Sequence, residues 1–201
     1  VSGDVAHRGE DDEYIAAEAF LKALQHELLE KFSCRPDVFI IPGNHDVNLK
    51  EDEKAAGEQG GKETRFAAKF AAYNRFVSSF NTALCLEYDR PYITWTVKTD
   101  GTELQLIGLN SAAEMGFEAG RRFGWINEAQ RLKVKDYLEE QAASPYVLRM
   151  AVFHHNPLLV TDEYEVEIQT MLSAHDTDIQ EHGKVLANYL YHSDRVLKEL
   201  A

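Results

Sequence analysis

The chain has 201 residues, 44% of them hydrophobic and 27% charged, and carries a formal net charge of −13. That is the size and balance of one globular domain with a real core. No apolar run approaches the roughly 18 residues a membrane span needs, no basic-then-apolar leader opens the chain, and the acidic balance argues against broad, sequence-blind nucleic-acid binding. Cys34 and Cys85 stand far apart without a Cys-x-x-Cys spacing, so no disulfide framework or thiolate zinc site is expected, and a reducing, cytoplasmic compartment fits.

In chain order, the first segment reads as the end of a strand turning through Gly3 and Gly9. An amphipathic helix is predicted from Asp11 to about Lys31, with Ile15, Ala19, Phe20, Ala23, Leu24 and Leu28 at helical spacing and Asp11, Asp12 and Glu13 favouring its N-terminus. Val38-Phe39-Ile40-Ile41, bounded by Pro36 and Pro42, reads as a buried parallel strand leading into Gly43-Asn44-His45-Asp46. Residues 49–64 are charged, contain Gly57, Gly60 and Gly61, and read as a flexible surface loop.

A helix follows over about 65–80, with Phe66, Phe70, Tyr73, Phe76 and Val77 on one face, a stripe that reads as core. Asp100-Gly101 between the alternating segments 92–98 and 104–109 predicts a hairpin. A helix over 127–141 and an apolar strand over 146–153 come next, and the strand delivers the chain into His154-His155. Residues 161–182 are polar and give no clear pattern, and a last helix is predicted over about 184–200. Alternating helices and short buried strands indicate an α/β layered fold in a single domain over 1–201. In such sheets the loops at the carboxyl ends of strands carry ligands. Gly3-Asp4, Gly43-Asn44-His45-Asp46 and His154-His155 are three such loops.

Carboxylate and amide oxygens with imidazole form a ligand set suited to Mn, Fe, Zn or similar divalent ions. A carboxylate can bridge two such ions, and a bridged pair can hold a phosphoryl oxygen and activate water. In their order and spacing, Gly3-Asp4, Gly43-Asn44-His45-Asp46 and His154 resemble three sequence blocks of the calcineurin-like metallophosphoesterases. Leu109-Asn110-Ser111, and Gly124-Trp125-Ile126 with Gln130, resemble connecting blocks of the same family, so the resemblance runs from Ser2 to Leu200.

The resemblance implies a layered α/β-β/α sandwich and hydrolysis of a phosphomonoester or phosphodiester by a metal-bound hydroxide at a centre of two divalent metals. Asp4 would bridge the two metals, and Asn44 and His154 would be ligands of the second, Asn44 also touching the phosphate. His45 would stand beside the phosphate as a catalytic histidine, and Asp46 would orient its imidazole. His155 would hydrogen-bond nearby or line the pocket. His7 stands where many relatives carry a second aspartate, and with Arg8 it would neighbour the phosphate or remain a solvated loop residue.

Two family blocks have no counterpart, a first Asp-x-His and a last Gly-His-x-His. Both would fall outside Val1 and Ala201, so the expectation is a domain incomplete at both ends and inactive as 201 residues alone. Two other readings remain open at this point: a non-catalytic scaffold or regulatory domain of the same fold, and a nuclease subunit of a larger assembly.

Overall fold

A computed structural model describes residues 1–99, 101–117, 124–141, 147–157 and 189–191. The chain is a mixed α/β protein. Among the described residues, five α-helices, α1 (Asp11–Phe32), α2 (Leu49–Gly57), α3 (Lys62–Lys69), α4 (Ala71–Ser78) and α5 (Glu128–Glu140), accompany six strands, β1 (Tyr92–Thr99), β2 (Thr102–Leu109), β3 (Gly124–Trp125), β4 (Val147–Val152), β5 (Asn156–Pro157) and β6 (Tyr189–Tyr191).

The expected hairpin forms as β1 and β2, antiparallel in register from Tyr92 opposite Leu109 to Thr99 opposite Thr102. β4 joins β2 in parallel, giving the order β1-β2-β4. Parallel neighbours need a long crossover, and α5 lies within it. β2 is covered on both faces. Ile107 and Leu109 pack with Ile126 and Val134 of the α5 side. On the opposite face Gly108 lies directly against Ile41 and Phe39. A second small sheet pairs β3 and β5 in parallel with β6. The helix predicted over 184–200 lies outside the described residues except at Tyr189–Tyr191, which are extended.

The principal core is aromatic. Phe66, Phe70, Tyr73, Phe76 and Val77 are all buried, as their stripe predicted, together with Tyr14, Ile40, Ile41, Leu84 and Ile93. The helix expected over 65–80 is divided into α3 and α4 at Phe70 (φ −104°, ψ 7°). The Lys69 carbonyl accepts the Asn48 N–H at 3.0 Å, and the Lys69 ammonium donates to the carbonyls of Ala113 (2.7 Å) and Met115 (2.5 Å). These tertiary bonds pull the turn at Lys69 out of the helical ladder.

Three expectations change at the level of local structure. The stretch 49–64, read as a loop, is largely helical. Asn48 caps α2 by accepting the Glu51 N–H, and fully buried Asp52 takes two hydrogen bonds from Arg65 of α3, at 2.9 and 3.0 Å. A buried carboxylate paired 13 residues away makes a short polar segment stable where its own composition does not.

α1 forms as predicted, but it turns a different face inward. Tyr14, Ala17, Leu21 and Gln25 meet the core or are buried, while Ile15 and Phe20 are 69% and 66% exposed. Apolar residues lie on two sides of this helix. The packed side is the one from which the Tyr14 hydroxyl reaches Asp46 and Gln25 reaches the Pro36 carbonyl.

The strand expected at Val38–Ile41 is reduced to a single parallel bridge, Ser2 to Ile41, although Ile40 and Ile41 are fully buried. Its partner segment turns away at Gly3 (φ +85°). Among the described residues no helix is long and apolar enough to cross a membrane.

Phe70 sits in this core with no exposed surface. Phe70→Ala should therefore cost about 3–5 kcal/mol, read as a lower urea midpoint at unchanged slope.

Candidate functional site

The three predicted loops do converge. After the Ser2–Ile41 bridge the chain makes two tight turns side by side, at Gly3-Asp4 and at Pro42–Asp46. Gly3 has φ +85°, and a Cβ there would collide with Gly43 and with His154 Nδ1. A Cβ at Gly43 would fall on the Asp4 carboxylate. Only glycine permits both approaches. Asp4 itself holds a left-handed conformation at φ +54°. That conformation costs a non-glycine residue roughly 1 kcal/mol, so its surroundings must hold it there.

Asp46 supplies much of that hold. Fully buried, its carboxylate accepts from the N–H groups of Ala6 (2.9 Å), Gly43 (2.8 Å) and Val5 (3.1 Å), and from the Tyr14 hydroxyl (3.0 Å). Burial pushes this carboxyl's pKa up, and the four donors pull against it. Burial raises the Tyr14 phenol too, assisted by the Asp46 charge, which keeps it a donor. This corrects the role expected of Asp46. Its oxygens are directed at backbone and Tyr14 and not at the His45 ring. The ring is held by the His7 carbonyl, which accepts from His45 Nδ1 at 2.8 Å.

Asp4, Asn44 and His154 meet at one point. His154 Nδ1 donates to the Ser2 carbonyl at 2.7 Å. Its Nε2 then faces Asn44 Oδ1 at 3.1 Å and Asp4 Oδ2 at 3.3 Å. The other Asp4 oxygen accepts the His45 backbone N–H at 3.1 Å. Three electron-pair donors facing one point repel each other unless positive charge lies between them. A proton on Nε2 satisfies that need, and accordingly the hydrogen bond to Asp4 raises the His154 pKa, against the opposing effect of burial. For Asp4 burial acts to raise the pKa, but the bonds from His154 and His45 outweigh it and hold the carboxyl below its ordinary value. A divalent cation satisfies the same need. An imidazole oriented by a carbonyl on its far nitrogen, beside a carboxylate and an amide oxygen, fits such an ion. Among the described residues no three His, Cys, Asp or Glu side chains gather as a metal-holding group, and here the third donor is the Asn44 amide.

His155 points the other way. It is 1% exposed, and its Nδ1 and the Ser111 hydroxyl share a hydrogen bond at 2.7 Å. Its ring lies on Gly124 and edge-on to His154, with centroids 5.0 Å apart. The connecting blocks noticed in the sequence meet around it. Trp125 donates to the Ser111 carbonyl, and Gln130 exchanges two hydrogen bonds with the Asn110 backbone. His155 hydrogen-bonds nearby, one of the two readings given for it, with Ser111 as the partner; Tyr14 went unassigned in the sequence, where its only sign was a polar-tipped aromatic in the first turn of α1. A cleft of about 720 Å³ lined by Asp52, Arg65, Lys69, Tyr88 and Lys133 includes none of Asp4, Asn44, His45 or His154. Of its four lining cations, Arg65 is engaged by Asp52, Lys69 by two carbonyls and Lys133 by the Asp89 carbonyl.

No protein-family model matches the chain, and no curated protein matches it significantly in sequence.

Two outcomes follow for stability. Asp46→Ala strands the Val5, Ala6 and Gly43 N–H groups and should cost on the order of 3 kcal/mol in urea unfolding. Burial also lowers the His155 pKa to about 4, from an ordinary value of 6.5. Between those values the unfolded chain binds a proton that the folded chain refuses. The contribution of His155 to stability is thus complete above about pH 6.5 and is lost as pH falls towards 4, by roughly 3 kcal/mol in the limit. Urea midpoints across this window should fall with pH, and His155→Asn should flatten that slope.

Proposed function

We propose that the chain carries part of a metal-dependent phosphoesterase site and that its sheet belongs to the layered sandwich of the calcineurin-like metallophosphoesterases. The observation that supports this most is the convergence of Asp4 Oδ2, Asn44 Oδ1 and His154 Nε2 on one point, with His154 Nδ1 tied to the Ser2 carbonyl. These three residues would hold a divalent ion such as Mn, Fe or Zn, and the family resemblance implies a second ion beside it. Bound ions of this kind neutralise phosphate charge and make water acidic enough to attack phosphorus at neutral pH.

The chain's own residues would do the rest. Asp4 is fixed by the His45 N–H and by its strained turn, so its oxygens need no reorganisation before they act. His45 has its Nδ1–H committed to the His7 carbonyl, and among the described residues its Nε2 makes no hydrogen bond. That nitrogen would contact the phosphate ester and, in the protonated ring, give its proton to the leaving oxygen. In the overall reaction the oxygen of water bonds to phosphorus and the bond from phosphorus to the leaving oxygen breaks. That oxygen takes the proton of His45, and the proton shed by water goes to solvent. Asp46 acts only by holding the two turns against each other.

The reading frame on either side of Val1 and Ala201 should encode Asp-x-His upstream and Gly-His-x-His downstream. The chain carrying them should retain divalent metal after dialysis, counted by elemental analysis. It should also hydrolyse 4-nitrophenyl phosphate or its bis ester in a chelator-sensitive way. Asp4→Ala and His154→Ala should each weaken metal retention by well over tenfold, since even residues that only support a ligand are worth about 10–100-fold. A chain that holds no metal and turns over neither ester would favour the scaffold reading. Preference for nucleic-acid ends over small diesters would select a nuclease.

A further inference from the structure

His7 stands where many members of the resembled family carry an aspartate, and at that place the structure has a second imidazole laid flat on the first. The rings of His7 and His45 are 5.1 Å apart between centroids and only 14° from parallel. The His7 backbone accepts the His45 Nδ1–H at 2.8 Å. One residue therefore holds His45 twice, by carbonyl at the ring edge and by ring at its face. A carbonyl oxygen can only accept, so this bond fixes His45 as the Nδ1–H form with Nε2 facing away. Stacking restricts what a single hydrogen bond leaves free, the swing of the ring about that bond.

The segment that presents His7 is itself anchored on both sides. Asp46 binds the N–H groups of Val5 and Ala6 before it. Glu13 binds those of Arg8 and Glu10 after it, and the Asn48 amide donates to the Gly9 carbonyl at 3.1 Å. His7 is exposed, so neither its ring nor the ring of His45 is fixed by burial in the core. The pair is fixed by its own stack and by the short loop beneath it.

We infer that His7 is the positioning residue of His45, setting the tautomer through its carbonyl and the ring plane through its own imidazole. It takes the place of the carboxylate that the sequence assigned to this task, which is engaged elsewhere. The ring contributes no charge pair, so an uncharged aromatic of similar width should serve as well. The consequence for catalysis rests on the proposed phosphoesterase reading, whereas the arrangement of the two rings does not.

The test separates these. In the full chain, long-range nitrogen–proton correlation spectra should give His45 the pattern of a ring protonated at Nδ1. His7→Ala, which keeps the carbonyl but deletes the ring, should move the His45 ring protons downfield as the stacked ring current is lost. His7→Phe should restore most of that shift. In turnover, His7→Ala should lower kcat for phenyl phosphate, whose leaving group needs a proton, by about 10–100-fold, the scale of a misplaced catalytic group. For 4-nitrophenyl phosphate, whose leaving group scarcely needs one, kcat should fall much less, KM should stay unchanged for both esters, and His7→Phe should recover the loss. His45 resonances indifferent to His7→Ala, or equal losses on the two esters, would overturn the assignment. Were no ester hydrolysed at all, the phosphoesterase reading would fall, while the ring-proton shifts would still decide for or against His7.

Discussion

The arrangement depends on one buried carboxylate. Asp46 has no exposed surface, yet it is held by three backbone N–H groups and a phenol drawn from three parts of the chain. An unpaired charge in that position would be prohibitive, and with those donors it becomes a rivet. Through it α1, the turn after Ser2 and the turn after Ile41 are one object. The strained φ of Asp4 and the contact between Gly3 and Gly43 are tolerable because this rivet fixes the two turns at a separation that leaves no other conformation.

A second lock works on different terms. His155 and Ser111 join the loop after β4 to the loop after β2, and the ring rests on Gly124 of β3. This lock is uncharged at neutral pH because burial disfavours the imidazolium. His154 stands between the two locks, with its ring edge-on to His155, its Nδ1 tied to Ser2 and its Nε2 directed at Asp4 and Asn44. The neighbouring histidines thus differ by environment, one buried on Ser111, the other partly open and facing Asp4 and Asn44. Adjacent residues after a strand point to opposite sides, so a His-His pair at a sheet edge splits in this way.

What the sequence made legible was periodic or punctuated. The aromatic stripe of α3 and α4, the Asp-Gly hairpin and the glycine-bracketed turns each repeat a local rule, and each is found. What it concealed depended on partners far along the chain. Nothing local to 49–64 announces that Asp52 will be buried against Arg65, so a helix with a long-range ion pair reads as a loop. Nothing in α1 ranks the face bearing Tyr14 and Gln25 above the face bearing Ile15 and Phe20, because the choice is made by hydrogen bonds to Asp46 and Pro36. The candidate residues were legible as residues, and their division of labour was not. Asp46 stands next to His45 in sequence and invites pairing, but its carboxylate turns back into the protein, and the residue that holds His45 lies 38 positions away.

Charge sets the remaining constraint. With a net charge of −13 the molecule repels a phosphate ester at long range, so attraction must be created locally. Around Asp4 the means are visible. The donor cluster is arranged to accept positive charge, and the exposed side chains near it include His7, Arg8 and His45, with acidic residues beginning at Glu10. On the proposed reading a bound cation reverses the sign of the field where the ester must sit, and the imidazoles border it. On that reading, the same acidity that would discourage long polyanions over the general surface would confine phosphate to this one edge of the fold.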